Sequence, residues 1–228
     1  MRWALALSTA LAAGTSFAQV SGTASIVSDD RFRGVSLTSG QPAAQLEVTY
    51  DAPSGWYAGA FGSNAEFYPG DGQQAQGSGY VGYALRLQHG WSADAGAAYT
   101  DFSKDSEWRY LEVHAGVSGE AASARLYYSP NYFGGSIHTL YAELNGSYGI
   151  SERFRLIGHG GLLQAFSGAT DQIGGTHPHA DFLAGVEVQI APLRLQLGRV
   201  FSDRARSVYP VASNQAPGVL VARLSLSF

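Results

Sequence analysis

The 228-residue sequence has no cysteine, and its only lysine is Lys104. With no disulfide framework available, the fold depends on burial and backbone pairing. Charged residues make up 14% of the chain and the formal net charge is -4, with no basic stripe, so the electrostatic footprint of a nucleic-acid binder is missing. Beyond the first few residues no apolar run approaches the roughly 20 residues of a membrane-spanning helix. No Pro/Ser-rich linker, charge block or shift in composition divides the chain, so it reads as one domain.

At the N-terminus stand Arg2, an apolar run from Trp3 to Ala13, and the small-residue segment Gly14-Thr15-Ser16-Phe17-Ala18 before Gln19. Charged, apolar and small residues in that order are the pattern of a secretory signal peptide. Residues 1–18 are therefore expected to be removed after Ala18, leaving 19–228 as the folded domain.

Downstream, apolar and polar residues alternate in segment after segment, the 180° pattern of a strand with one wet face. In the last segment Leu220, Ala222, Leu224, Leu226 and Phe228 share one face, and Val221, Arg223, Ser225 and Ser227 the other. Leu193, Leu195 and Leu197 alternate with Arg194, Gln196 and Gly198, and similar runs surround Leu46, Leu111, Leu140 and Val186. A soluble sandwich also alternates, but its outer polar face is rich in Lys, Glu and Thr, whereas one whole face here is aliphatic or aromatic. The pattern predicts an all-β fold, a transmembrane up-and-down antiparallel β-barrel.

Twelve segments are expected: 20–28, 43–51, 56–66, 78–88, 91–100, 109–118, 121–129, 139–148, 153–164, 181–190, 193–202 and 218–228. Short connections alternate with long ones, matching short periplasmic turns and long outer loops. The even count puts both ends on the periplasmic side and pairs the last strand with the first. Tyr50, Tyr57, Trp91, Tyr148, Phe154 and Phe228 would form one interfacial aromatic girdle, and Tyr99, Tyr128, Phe182 and Phe201 the other.

The inward face is expected to carry Glu47, Glu66, Asp94, Glu112, Glu143 and Glu187, with Arg86, Arg125, Arg155, Arg223, His114 and His159. Mixed signs in a barrel of this size suit either a narrow aqueous path or a closed lumen of paired charges. If the path is open, the acids predict at most a weak cation preference. A lipolytic triad finds no support, because no serine stands in a nucleophile setting beside Glu112 and His114. His177-Pro178-His179 with Asp171 and Asp181 is a weak metal pattern that reads better as a solvated loop. Neither a metal site nor a cofactor is expected.

The run Ser28-Asp29-Asp30-Arg31-Phe32-Arg33-Gly34-Val35-Ser36, then Gln41-Pro42-Ala43, Gly55-Trp56-Tyr57-Ala58-Gly59 and Gly62-Ser63-Asn64, carries a resemblance, as does Leu126-Tyr127-Tyr128-Ser129-Pro130-Asn131-Tyr132-Phe133-Gly134. These stretches resemble the proteobacterial Gcw_chp family, also called TorF-type candidate porins. The resemblance implies an exported barrel of the Gram-negative outer membrane and supplies no substrate or catalytic residue. Arg31 and Arg33, where the first strand meets a long loop, would line a mouth, pair with Glu66, or clamp the loop. The expected partners are outer-membrane lipid on the aliphatic face and the barrel-assembly machinery, which would read Leu224, Leu226 and Phe228. The small solute is unspecified, and a non-conducting barrel acting through its outer loops is the alternative.

Overall fold

The structure, a computed structural model, describes residues 18–167, 178–203, 209, 211 and 218–228; the expected signal peptide lies outside these apart from Ala18. Its strands are β1 (Gln19–Val27), β2 (Arg31–Phe32), β3 (Val35–Ser36), β4 (Ala43–Asp51), β5 (Trp56–Ala65), β6 (Gln74–Arg86) and β7 (Ser92–Phe102). They continue with β8 (Tyr110–Ser118), β9 (Ala122–Ser129), β10 (His138–Gly149), β11 (Phe154–Ser167), β12 (His179–Ile190), β13 (Leu193–Ser202) and β14 (Gly218–Ser227). Twelve of them close into one antiparallel barrel in the order β1-β14-β13-β12-β11-β10-β9-β8-β7-β6-β5-β4, and β2-β3 form a separate hairpin. Each segment expected from the period-two pattern is a strand.

Closure removes the free edges that would otherwise template aggregation. β1 meets β14 with Thr23 opposite Ser227 and Val27 opposite Arg223. Beyond that register the Gly22 N–H donates to the Phe228 carbonyl at 2.8 Å, and the Phe228 N–H donates to the Gly22 carbonyl at 3.0 Å. The Phe228 ring lies over Gly22, where an added Cβ would stand 2.5 Å from it.

The two faces divide as the alternation requires. Leu144 is 66% exposed and Leu126 52%, while their neighbours Glu143 and Arg125 point into the bore. Leaving so many leucines in water would forgo roughly 25 cal/mol per Å² of apolar surface, so the band is matched to hydrocarbon. Tyr50, Trp91, Tyr148, Phe154, Phe228, Tyr99, Phe182 and Phe201 are all exposed on this outer face. Tyr57 is not: its hydroxyl donates to Asp94 Oδ2 at 3.2 Å inside the bore, and the outward ring at that end of β5 is Trp56. The sequence Trp56-Tyr57-Ala58-Gly59 places two aromatics side by side and leaves the phase of the strand undetermined locally.

The outer half of the bore is a packed core. The loop 28–42 turns inward and buries Phe32, Val35 and Leu37 against Phe67, Phe102, Tyr110, Tyr132, Phe133, Tyr141, Leu163 and Tyr209. Phe102 stacks on Phe133 at 6.0 Å and Tyr110 meets Tyr132 edge-on at 5.3 Å; such pairs contribute about 0.5–1.5 kcal/mol each beyond area burial. A smaller apolar layer, Val27, Ala43, Leu183, Val200 and Val221, lines one wall.

Candidate functional site

The inward loop is held by its own hairpin. Phe32 pairs with Val35 across the two-residue turn Arg33-Gly34, and both turn residues have positive φ, 51° and 79°, which suits the tight turn joining twisted strands. Gly34 is required twice over. Besides its φ, an added Cβ would stand 2.7 Å from Ser202 Cβ and 2.8 Å from Asp181 Cβ. Arg33 has no such excuse in the left-handed region, where an ordinary side chain costs about 1–2 kcal/mol, so its contacts must offset that strain.

They do so across the bore. Arg33 Nη2 donates to Glu112 Oε1 at 2.7 Å and Nη1 to the Tyr132 hydroxyl at 2.9 Å. The guanidinium also lies 4.1 Å from the Tyr141 ring centroid and 4.6 Å from that of Phe32. Burial alone pulls the Arg33 pKa down, but Glu112 and the surrounding tyrosine hydroxyls carry it well above the ordinary value, so the charge is permanent. From the other wall, His179 Nε2 sits 2.9 Å from the Arg33 carbonyl oxygen, its Nδ1 against Asp203, and the Ser202 hydroxyl donates to the Gly34 carbonyl at 3.2 Å.

The rest of the loop is fastened in the same way. Arg31 Nη1 binds Asp29 Oδ2 at 2.7 Å and its Nε donates to the Gly34 carbonyl at 3.0 Å. The Ser63 hydroxyl donates to Asp30 at 3.3 Å. Both arginines are therefore buried clamps of the loop and neither meets Glu66. That residue lies one position past the end of β5 and its carboxylate accepts from the Gly70 N–H at 2.9 Å, in an outer loop and not in the bore.

Below the loop the expected lumen residues assemble in networks. Asp94 accepts from Arg125 at 3.2 Å and faces His114 Nε2 at 3.0 Å, while the Tyr127 hydroxyl donates to Glu143 at 3.1 Å. His159 Nε2 meets Asp181 Oδ1 at 2.9 Å and the Tyr141 hydroxyl donates to Asp181 Oδ2 at 3.0 Å. The Tyr80 hydroxyl donates to Glu47 at 2.9 Å, and Arg155 donates to Ser147 at 3.0 Å. Glu187 takes Gln196 Nε2 at 2.7 Å and stands 3.7 Å from Arg194; Arg223 faces inward on β14, and Arg86 is exposed at the periplasmic end of β6. A cavity of about 70 Å³ remains directly beneath the loop, between Arg33, Glu112, His114, Tyr127 and Glu143.

The inward set expected from the sequence leaves out Arg194, Asp51 and the inner tyrosines at 80, 127 and 141, and it puts Tyr57 in the outer girdle and Asp181 in the weak metal pattern, whereas both face the bore. The signal is in the alternation itself, since period two puts Tyr127 on the face opposite Leu126 and Tyr141 on the face opposite Leu140. Glu112 and His114 are committed to Arg33 and to the Asp94 network. His179, expected in a solvated loop, is buried at the start of β12; His177 and Asp171 lie outside the described residues. No group of His, Cys, Asp and Glu with metal-binding geometry occurs among the described residues.

A closed barrel with an aliphatic outer band, aromatic rims and a charged bore is the architecture of an outer-membrane protein. Residues 11–222 match the family model described as "Bacterial protein of unknown function (Gcw_chp)", and the chain belongs to that family. No curated protein matches the sequence. Among solved structures, the NanC porin superposes with a TM-score of 0.58 at 12% identity, covering 92% of this chain and 99% of that one. The KdgM porin in complex with disordered oligogalacturonate superposes at 0.53 with 8% identity, covering 93% and 98%. At such identities the likeness is one of fold.

Proposed function

We propose that the protein is an outer-membrane channel for small solutes whose bore is restricted by the inward-folded loop 28–42. The observation that carries this reading is the contrast between the two halves of the bore. The outer half is filled by the loop 28–42, held by one hairpin and a few charged contacts and packed against Phe67, Tyr132, Phe133 and Tyr209 of other outer loops. The periplasmic half is lined by charged and hydroxyl-bearing side chains, the polar interior that an aqueous path requires. Likeness in strand layout and length to the NanC and KdgM porins supports it.

On this reading the aliphatic face contacts outer-membrane lipid, the assembly machinery reads the exposed Leu224, Leu226 and Phe228, and the barrel performs no catalysis. The packed aromatic layer favours a second reading, a closed barrel that acts through its outer loops. Planar-bilayer recording with graded sugars separates them. A channel gives small unit steps for the wild type and larger ones when residues 29–38 are replaced by a Gly/Ser linker; silence from both proteins would establish the closed barrel.

A further inference from the structure

The guanidinium of Arg33 sits in a cage made mostly by the barrel wall. Its Nη2 donates to Glu112 of β8 at 2.7 Å and its Nη1 to the Tyr132 hydroxyl at 2.9 Å. The same group lies over the Tyr141 ring of β10 at 4.1 Å from the centroid, with the Tyr127 ring of β9 at 5.4 Å. Three adjacent strands therefore supply a carboxylate and two aromatic faces. A planar, weakly hydrated cation is the group that such a set fits, since it donates from its edge while its face rests on a ring. A compact ammonium cannot do both.

The wall members are held by bonds in which the loop 28–42 takes no part. Tyr127 and Tyr141 are direct register partners across β9 and β10, with ring centroids 6.0 Å apart. The Tyr127 hydroxyl donates to Glu143 at 3.1 Å and the Tyr141 hydroxyl to Asp181 at 3.0 Å, so each ring is anchored at its far end. The basic groups below, His114 and Arg125, both face Asp94. Glu112 thus takes its cation from the loop. When the hairpin leaves, a nearly buried carboxylate loses its counter-charge, a cost that a cation from solution offsets. Room for one is at hand, because the cavity of about 70 Å³ beneath Arg33 is lined by Glu112, Tyr127 and Tyr141 as well.

We propose that Glu112, Tyr127 and Tyr141 form a binding site for small solutes that carry a guanidinium group, and that Arg33 fills this site while the hairpin is seated. Loop and solute are alternative occupants. A tethered side chain has an effective concentration on the order of millimolar or more, so dilute solute binds chiefly when the hairpin is out. That the solute arrives through the bore rests on the channel reading above; the site itself does not.

Arg33→Ala removes the side chain from Cγ onward, and ethylguanidinium restores those atoms from solution. The test is the urea midpoint of the full-length mature barrel in detergent, with millimolar ethylguanidinium or its neutral isostere N-ethylurea. Ethylguanidinium should raise the R33A midpoint toward that of the wild type, and N-ethylurea should leave it in place. Neither compound should move the wild type, whose site is filled, or R33A/E112Q, whose carboxylate is gone. If R33A lacks the heat-modifiable mobility of a folded barrel, the variant with residues 29–38 replaced by a Gly/Ser linker serves for the same comparison. Equal midpoints with the two compounds in the variant that folds, or an equal rise in R33A/E112Q, would overturn the proposal. In planar bilayers ethylguanidinium should interrupt the current of the linker variant while N-ethylurea does not. A silent bilayer beside a raised midpoint removes the channel reading and leaves the site standing.

Discussion

Arg33 and Glu112 stand 79 residues apart in the chain and 2.7 Å apart in space, and their ion pair ties the first outer loop to the far wall of the barrel. Both side chains are nearly buried, at 4% and 10% exposure. Arg33→Ala leaves Glu112 without its counter-charge, a change that costs about 3–5 kcal/mol when the partner is buried. The urea midpoint of the barrel in detergent should fall, and Arg33→Ala/Glu112→Gln should recover part of the loss. A single variant as stable as the wild type would mean that the pair does not hold the loop.

Gly34 gives a sharper probe of the same loop, because it tests shape rather than charge. Valine there meets Ser202 and Asp181 on the wall and has to adopt a φ of 79°. Gly34→Val should expel the hairpin while leaving the twelve-stranded wall intact. The expected result is a larger unit conductance and new protease cleavage within residues 28–42, with unchanged heat-modifiable mobility. Cleavage no faster than in the wild type would show that the hairpin tip tolerates the side chain.

Most of the wall was legible in the sequence, and the plug was not. Period-two alternation depends only on which face meets lipid, so Leu193, Leu195 and Leu197 announced β13 without any knowledge of its neighbours. The expected and observed limits of β4 and β13 coincide, and the other barrel strands differ by a few residues. Tyr57 was misplaced because Trp56 and Tyr57 offer no contrast, and Glu66 because β5 ends one residue sooner than the pattern suggests. The loop 28–42 has no period to follow. Its signal was compositional: Phe32, Val35 and Leu37 are apolar residues in a segment that would otherwise be solvated, set around an Arg-Gly turn. What they pack against comes from β5, β7, β8, β10 and β11 and from outer loops, which no local reading brings together.

Closure by the last residue makes a further prediction. Phe228 exchanges two backbone hydrogen bonds with Gly22 and lays its ring over that glycine. Deleting it removes both bonds, at a net loss of about 0.5–1.5 kcal/mol each, together with the outward ring at the seam. The folded, heat-modifiable fraction recovered from outer membranes should drop sharply. Phe228→Tyr, which keeps the ring and the backbone, should restore it. Equal yields for the deletion and the wild type would place closure and assembly elsewhere in β14.

The tryptophans report directly on which face meets lipid. Trp56 is 57% exposed and packs edge-on against Tyr83 at 5.3 Å on the outer wall, and Trp91 is 42% exposed at the periplasmic rim. Trp108 instead packs against the aromatic core that fills the outer bore. Bromine on an acyl chain quenches only rings it can touch, and interfacial aromatics sit at the edge of the hydrocarbon. In single-tryptophan proteins reconstituted in brominated phospholipid, Trp56 and Trp91 should therefore lose much of their emission while Trp108 keeps it. The adjacent residue supplies the control, since moving the ring one position, in Trp56→Phe/Tyr57→Trp, turns it into the bore and should abolish the quenching. Strong quenching at position 57 would reverse the facing of β5 and, with it, the inward assignment of Tyr57 beside Asp94 and His114.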